Sequence, residues 1–222
     1  LREDARCTGT KEGCNEGDCG ACTVVIGTPA GPGDADAVRG LELQTVNACI
    51  QFLPTLDGKA LFSVEDLKSI APDGSLHPTQ QAMVDCHGSQ CGFCTPGFVM
   101  SLFTLYQSTD GPVTRQQVND WIAGNLCRCT GYRPIVDAAV QACARPRQDR
   151  FRKGASDMAG VLGFLLARRG GPRALDDIRR RQGRRRAIRQ GPPAVLFDAH
   201  RHRLVLLAVE MLEDGSGGRH RD

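Results

Sequence analysis

Two short cysteine-rich segments constrain this chain more than any other feature. The first is CHGSQCGFCTPG at residues 86–97, and the second is NLCRCTGYRP at residues 125–134. Each contains two cysteines separated by one or two residues, and each continues through Thr and Gly into an apolar run with helical spacing. This pattern predicts one site with four thiolate ligands, namely Cys91, Cys94, Cys127 and Cys129.

A second cysteine cluster lies closer to the start of the chain. In KEGCNEGDCGACTVVIG, Cys14, Cys19 and Cys22 have the C-x4-C-x2-C spacing of plant-type [2Fe–2S] ferredoxins, which take a fourth cysteine from further along the chain. Cys49 is the candidate for that fourth ligand. A loop around a cluster needs backbone conformations that glycine adopts easily, and this loop contains three such residues: Gly13, Gly17 and Gly20.

The content of the four-thiolate site is a choice between zinc and iron–sulfur. The Cys91-x2-Cys94 spacing occurs in many zinc sites. The Cys127-x-Cys129 spacing is less typical of zinc, because zinc ribbons use C-x2–4-C in both halves. With a ferredoxin-type pattern already in the same chain, we favour a second [2Fe–2S] cluster and keep zinc as the alternative.

The remaining cysteines are predicted to be packed thiols. All 11 cysteines fall between Cys7 and Cys143, and the first residues, LREDARCTGT, lack the basic head and apolar core of a secretory signal. An odd number of cysteines without such a signal argues against disulfides and for a reducing compartment, which we expect to be the cytoplasm. The predicted non-ligands are Cys7, Cys86 and Cys143. We expect His87 to be structural as well.

Charge divides the chain near residue 146. Residues 1–150 carry 12 Lys and Arg against 17 Asp and Glu, whereas residues 151–222 carry 16 against 8. We predict that residues 146–222 form an irregular basic tail, disordered or not native sequence, such as the product of a shifted reading frame. The arginines of residues 179–189 could contact nucleic-acid phosphates, but no aromatic residues are interleaved for stacking, so a solvated tail is favoured.

Two smaller features of this tail are noted as candidates. The apolar residues at 161–166 could form a helix, and His200 and His202 form an H-x-H pair, a weak candidate for metal binding. The chain has no run of 18 apolar residues, so no membrane span is predicted.

Periodicity along residues 1–145 predicts an α+β protein. ACTVVIG, LELQTVNAC and KALFSV are typical of strands, and Ser63 begins a short helix. We assign residues 1–72 to a partial ferredoxin-like β-grasp domain. Such a small sheet is marginal alone, so we expect its first strands to precede Leu1.

Four short helices are predicted after residue 72. The second has Thr95 as N-cap and Pro96 at its first position, the third begins with a Thr114–Gln117 capping box, and the fourth begins at Pro134. We assign residues 73–145 to a compact four-helix bundle with near-twofold symmetry, in which both cysteine pairs stand at helix starts. Helix amino termini favour anionic thiolates.

Together, three segments resemble the iron–sulfur part of the molybdenum hydroxylase family. They are TGTKEGCNEGDCGACTVVIG, GSQCGFCTPGFVMSL and GNLCRCTGYRPIVDA. Within that family, KEGCNEGDCGACT looks most similar to the small subunits of the bacterial xanthine dehydrogenases. The resemblance covers residues 1 to about 145, and its motifs are highly specific.

This resemblance implies a role and a set of ligands. It implies that one [2Fe–2S] cluster is held by Cys14, Cys19, Cys22 and Cys49, and a second by Cys91, Cys94, Cys127 and Cys129. Gln90 and Cys129 match positions that approach the molybdopterin of a partner subunit. The chain would relay electrons from purine hydroxylation at that cofactor towards FAD and NAD, with no catalytic residue of its own. The tail has no recognisable flavin-binding loop, so FAD is expected in another domain or subunit.

Two alternatives remain open at this point. The chain could be the small subunit of a molybdenum hydroxylase that acts on aldehydes or N-heterocycles. From a different class, it could be a zinc-stabilised module whose basic tail contacts nucleic acid.

Overall fold

The structure is a computed structural model, and it describes residues 1–31, 33–34, 37–71, 75–147 and 149–151, together with the backbone of two later strands. The described part of the chain contains five strands: β1 (Thr23–Pro29), β2 (Leu41–Asn47), β3 (Ala60–Phe62), β4 (Ala194–Asp198) and β5 (Arg203–Leu207). The same residues include five α-helices: α1 (Leu67–Ile70), α2 (Pro78–Asp85), α3 (Thr95–Ser108), α4 (Arg115–Trp121) and α5 (Arg133–Ala144).

The sheet is organised around β1. This strand contains the β-branched run Val24–Val25–Ile26, all three of them buried, and such residues pack well on a pleated surface. It pairs antiparallel with β2 on one side and with β3 on the other. These three strands lie where the sequence predicted them.

Two more strands extend this sheet from the carboxy-terminal part of the chain. β4 pairs parallel with β3, and β5 pairs antiparallel with β4, so that the strand order is β2-β1-β3-β4-β5. The prediction that the tail is irregular is therefore wrong at these two strands. The other predictions for the tail, at residues 161–166, 179–189, 200 and 202, lie outside the described residues.

The helix starts agree with the capping signals, with one correction. The capping boxes at Ser63 and Thr114 are both present. Thr95, however, is the first residue of α3, and Cys94 occupies the N-cap position. The helix therefore begins one residue earlier than predicted, directly after a candidate ligand. A capping box that the sequence analysis missed starts α2, where the ring of His77 accepts from the backbone N–H of Thr79.

Helix α3 joins the sheet to the other helices. Most of its side chains are buried, including Phe98, Phe103 and Tyr106, and it packs against β1 and β2 as well as against α2 and α5. The structure confirms the α+β class and the positions of the four predicted helices. It does not confirm a self-contained four-helix bundle, because α3 shares one continuous core with sheet residues such as Val25 and Phe62.

The segment after α5 is fastened to this core. The ring of Phe151 makes edge-on contacts with Phe62 and Phe103, with centroids 5.2 and 5.1 Å apart. Nearby, Asp149 accepts from the buried ring of His77, with 3.0 Å between Oδ2 and Nε2. The predicted boundary between the first two domains lies between residues 72 and 73, which are not described, and it stays a prediction.

None of the helices in the described part of the chain is both long enough and apolar enough to cross a bilayer.

Candidate metal centres

The sheet brings the first four cysteines together. Cys22 lies just before β1, and Cys49 lies in a short 3-10 turn just after β2. Because β1 and β2 run antiparallel, the end of β2 returns to the start of β1, where the backbone N–H of Ala48 donates to the carbonyl oxygen of Cys22 at 3.2 Å. Burial raises the pKa of Cys49, and a hydrogen bond with Cys22 raises it further. Cys22 and Cys49 thus form one pair of thiols.

Cys14 and Cys19 form a second pair within the preceding loop. The backbone N–H of Cys19 donates to the Sγ of Cys14 at 3.3 Å. Backbone hydrogen bonds from Glu16 and Cys19 lower the pKa of Cys14 to about 6, which favours the thiolate that binds metal. Gly13 is required on steric grounds, because a Cβ there would lie 2.8 Å from the Sγ of Cys19.

The four candidate ligands of the second site, Cys91, Cys94, Cys127 and Cys129, also meet as two pairs. The Sγ atoms of Cys91 and Cys129 are 3.4 Å apart, although 38 residues separate them. Cys94 and Cys127 share a side-chain hydrogen bond, and burial together with this contact raises the pKa of Cys94 to about 12. The pKa of Cys91 is lowered by the backbone N–H of Phe93 and by Cys129. Each pair therefore combines one cysteine from each of the two motifs.

Pairs of thiols match the donor set of a two-iron cluster. In a [2Fe–2S] cluster with four cysteines, two thiolates bind each iron, whereas tetrahedral zinc needs four ligands around one ion. The arrangement fits two [2Fe–2S] sites better than zinc.

Two residues that the sequence analysis did not single out shape the loop around Cys127. The hydroxyl of Tyr132 accepts from the backbone N–H of Cys127 at 2.9 Å, and Thr130 Oγ1 lies 3.2 Å from the Sγ of Cys127. Burial has the largest single effect on Cys127 and opposes its ionisation, but hydrogen bonds from Thr130, Cys129 and Cys94 together lower its pKa. The signal available in the sequence was the T-G-Y run directly after the cysteine pair.

Tyr132 is held in an unusual backbone conformation by its surroundings. Its φ of 68° lies in the left-handed region, which bulky residues seldom adopt. Its ring packs edge-on against Phe98 of α3, with centroids 6.0 Å apart. This packing positions the hydroxyl group beneath the Cys127 loop.

The exposure of the predicted residues differs from one to the next. Gln90, Cys91 and Cys129 are all exposed. Of the cysteines predicted as packed thiols, Cys143 is buried, whereas two are half-buried: Cys7 and Cys86. The Sγ of Cys86 donates to the Oε1 of Gln141 at 2.9 Å. His87 is exposed and stands at the turn after α2, with a φ of 55°.

Comparison with known proteins identifies a [2Fe–2S] binding domain in this chain. Residues 63–140 match the family described as [2Fe-2S] binding domain. The xanthine dehydrogenase of Blastobotrys adeninivorans is 46% identical over 148 residues, which are 66% of this chain and 10% of that protein. The aldehyde oxidase of Homo sapiens is 46% identical over 143 residues, or 64% of this chain and 10% of that protein. This chain thus spans about a tenth of the length of these relatives.

A solved structure matches over most of both chains. The quinoline 2-oxidoreductase from Pseudomonas putida 86 is 30% identical, with a TM-score of 0.52, and the match covers 70% of this chain and 82% of that chain. The fold and the paired thiols define an iron–sulfur protein. The chain belongs to the molybdenum hydroxylase family and represents its iron–sulfur part. The zinc-binding nucleic-acid module receives no support.

The different pKa values of the thiols predict a pH-dependent pattern of alkylation. In the cluster-free chain, Cys14 should react with iodoacetamide at pH 7, because its pKa of about 6 leaves it largely thiolate. Cys94 should react far more slowly, because its pKa of about 12 keeps it a thiol. Mass spectrometry of peptides after timed alkylation measures both rates. Equal rates for the two residues at pH 7 would contradict the prediction.

Proposed function

We propose that this chain is the electron-transfer part of a xanthine dehydrogenase. In this role it passes electrons from a molybdopterin centre, where xanthine or hypoxanthine is hydroxylated, to FAD and NAD. The molybdopterin belongs to a large partner subunit, and FAD to another domain or subunit. The observation that carries the proposal is the arrangement of eight cysteines as four thiol pairs in two neighbouring sites.

We assign the ligands site by site. The site beside the sheet would use Cys14, Cys19, Cys22 and Cys49, and the site beside the helices would use Cys91, Cys94, Cys127 and Cys129. A [2Fe–2S] cluster supplies one-electron redox chemistry, with a potential of about −400 mV in plant-type ferredoxins. Backbone N–H groups aimed at sulfur stabilise added negative charge, and Cys19 N–H and Ala21 N–H donate in this way to Cys14 and Cys19.

The exposed edge of the second site suits contact with a partner. Gln90, Cys91 and Cys129 are all open to solvent. An amide side chain beside an exposed cysteine can hydrogen-bond to a polar ring system. We therefore propose that Gln90 and Cys129 face the molybdopterin of the partner subunit, which would place this site at the start of the relay.

A second candidate function concerns the substrate and not the chain's role. The aldehyde oxidase of Homo sapiens is as similar to this chain as the xanthine dehydrogenase of Blastobotrys adeninivorans. One of the structures that match is a quinoline 2-oxidoreductase. The chain could therefore serve an enzyme that oxidises aldehydes or N-heterocycles other than purines.

One experiment tests both the relay and its substrate. The chain is purified with its molybdenum-containing partner, and xanthine, an aldehyde or quinoline is added without an electron acceptor. We expect xanthine to reduce both clusters, so that two distinct [2Fe–2S] signals appear in the EPR spectrum. Reduction by an aldehyde or quinoline alone would support the second candidate. A colourless chain with bound zinc and no EPR signal would contradict the relay itself.

A further inference from the structure

One buried side chain joins the two cysteine loops. Asn125 is 4% exposed and lies two residues before Cys127. Its Nδ2 donates to the carbonyl oxygen of Gly20 at 3.0 Å and to the Oγ1 of Thr23 at 2.9 Å. Gly20 belongs to the first cysteine loop, more than 100 residues earlier in the chain. A single carboxamide therefore links the loop of one site to the loop of the other.

The contacts of this carboxamide fix its orientation. The carbonyl oxygen of Gly20 can only accept a hydrogen bond, so the nitrogen of Asn125 must face it. On the other side, the hydroxyl of Ser101 in α3 donates to the Oδ1 of Asn125 at 2.6 Å. Both ends of the amide thus have partners, and the side chain is fixed between α3 and the first loop.

A backbone hydrogen bond runs beside this side chain and connects the sites directly. The N–H of Leu126 donates to the carbonyl oxygen of Cys19 at 2.9 Å. Cys19 is a proposed ligand of the first site, and Leu126 immediately precedes Cys127, a proposed ligand of the second. Along the chain, more than 100 residues separate these two ligands. Through this hydrogen bond, the path from one ligand to the other crosses only two peptide units.

Glycines allow the two loops to come this close. Gly20 has a φ of 68°, and a Cβ there would lie 2.3 Å from the carbonyl oxygen of Gly124. A Cβ at Gly97, in the first turn of α3, would lie 2.1 Å from the carbonyl oxygen of Gly20. Real side chains do not tolerate such distances. The loops are therefore in backbone contact, with no space for an added methyl group.

We propose that Asn125 is a positioning residue that sets the distance and the electronic coupling between the two clusters. The hydrogen bond from Leu126 to Cys19 is the connection that it holds in place. This inference rests on the proposed electron relay. In each transfer, one cluster loses an electron and is oxidised, and the other gains it and is reduced. No bond forms or breaks, and no proton moves.

The test uses the full 222-residue chain, loaded with clusters from iron and sulfide and reduced with dithionite. Two nearby reduced clusters split each other's EPR signals by spin–spin interaction, so the splitting reports their separation and relative orientation. We expect Asn125→Ala to retain both clusters but to lose much of this splitting. Hydrogen–deuterium exchange at the Leu126 amide should become faster at the same time. The isosteric Asn125→Asp, which lacks the NH₂ donor, should show the same two changes.

A matched control is available next to Asn125. A Cβ at Gly124 meets no atom within 4 Å, so Gly124→Ala should keep both the splitting and the exchange rate of the parent chain. An Asn125→Ala variant that keeps the parent splitting and the parent Leu126 exchange overturns the inference.

A second variant keeps the inference testable if the Asn125 variants do not bind iron–sulfur clusters. Gly97→Ala keeps the Asn125 side chain but places a Cβ 2.1 Å from the carbonyl oxygen of Gly20 and 3.2 Å from the Nδ2 of Asn125. It should therefore also reduce the splitting, and an unchanged splitting here would equally overturn the inference. If the parent chain takes up no iron, the proposed relay fails instead. In that case, hydrogen–deuterium exchange at the Leu126 amide is compared between the cluster-free parent chain and cluster-free Asn125→Ala. Faster exchange in the variant would show that Asn125 holds the loops together, and equal exchange rates would overturn that role.

Discussion

Replacing single cysteines at the two sites should remove one cluster each. We expect Cys22→Ala to abolish the EPR signal of the site beside the sheet, and Cys94→Ala to abolish that of the site beside the helices. Each variant should keep half of the iron, because the proposed ligands form two separate sets of four thiolates and a cluster with three protein ligands is poorly held. Iron analysis and EPR spectra of the two variants provide the measurement.

The chain provides its own control for this prediction. Cys86 is half-buried, and its Sγ donates to Gln141 instead of meeting another cysteine. Cys86→Ala should therefore keep all of the iron and both signals. The ligand assignment would be wrong if Cys86→Ala lost a cluster, or if Cys22→Ala removed the signal of the other site while sparing its own.

Asp149→Ala should lower the free energy of unfolding by about 3 kcal/mol, because it removes one partner of a buried ionisable pair. The side chains of His77 and Asp149 are 0% and 2% exposed, and Nε2 and Oδ2 are 3.0 Å apart. Without the carboxylate, the His77 ring loses its acceptor in a site that water does not reach. Urea unfolding of the cluster-free chain, followed by circular dichroism, measures the change.

An exposed ion pair serves as the matched control. Arg115 and Asp137 also form a salt bridge, but their side chains are 58% and 37% exposed. Surface ion pairs contribute little to stability, so Asp137→Ala should leave the unfolding midpoint almost unchanged. Equal loss of stability in the two variants would show that burial of the His77–Asp149 pair is not what matters.

Local signals in the sequence predicted most of the regular structure. The β-branched run of β1 and the capping boxes at Ser63 and Thr114 are short-range patterns, and each is present in the fold. The self-contained bundle was not confirmed because the faces of α3 contact two different layers. Helical spacing identifies an apolar helix, but it does not reveal whether a sheet or other helices cover it.

The irregular tail was predicted from its composition and from the end of the family resemblance near residue 145. Strands β4 and β5 show where that reasoning fails, because β4 pairs in parallel with a strand more than 130 residues earlier in the sequence. A distant partner of this kind leaves no trace in the local charge or glycine content of the tail.

The sequence alone determined which residues can serve the two sites and what chemistry they offer. Thiolate ligands require cysteine, and the spacings C-x4-C-x2-C, C-x2-C and C-x-C restrict the cofactor class. Only the tertiary structure decided which thiols meet: Cys91 lies beside Cys129 because α3 and α5 share one core, and Cys49 reaches Cys22 because β1 pairs with β2. Only the tertiary structure placed Asn125 between the two loops, because the hydrogen bonds that define the role of Asn125 join residues more than 100 positions apart.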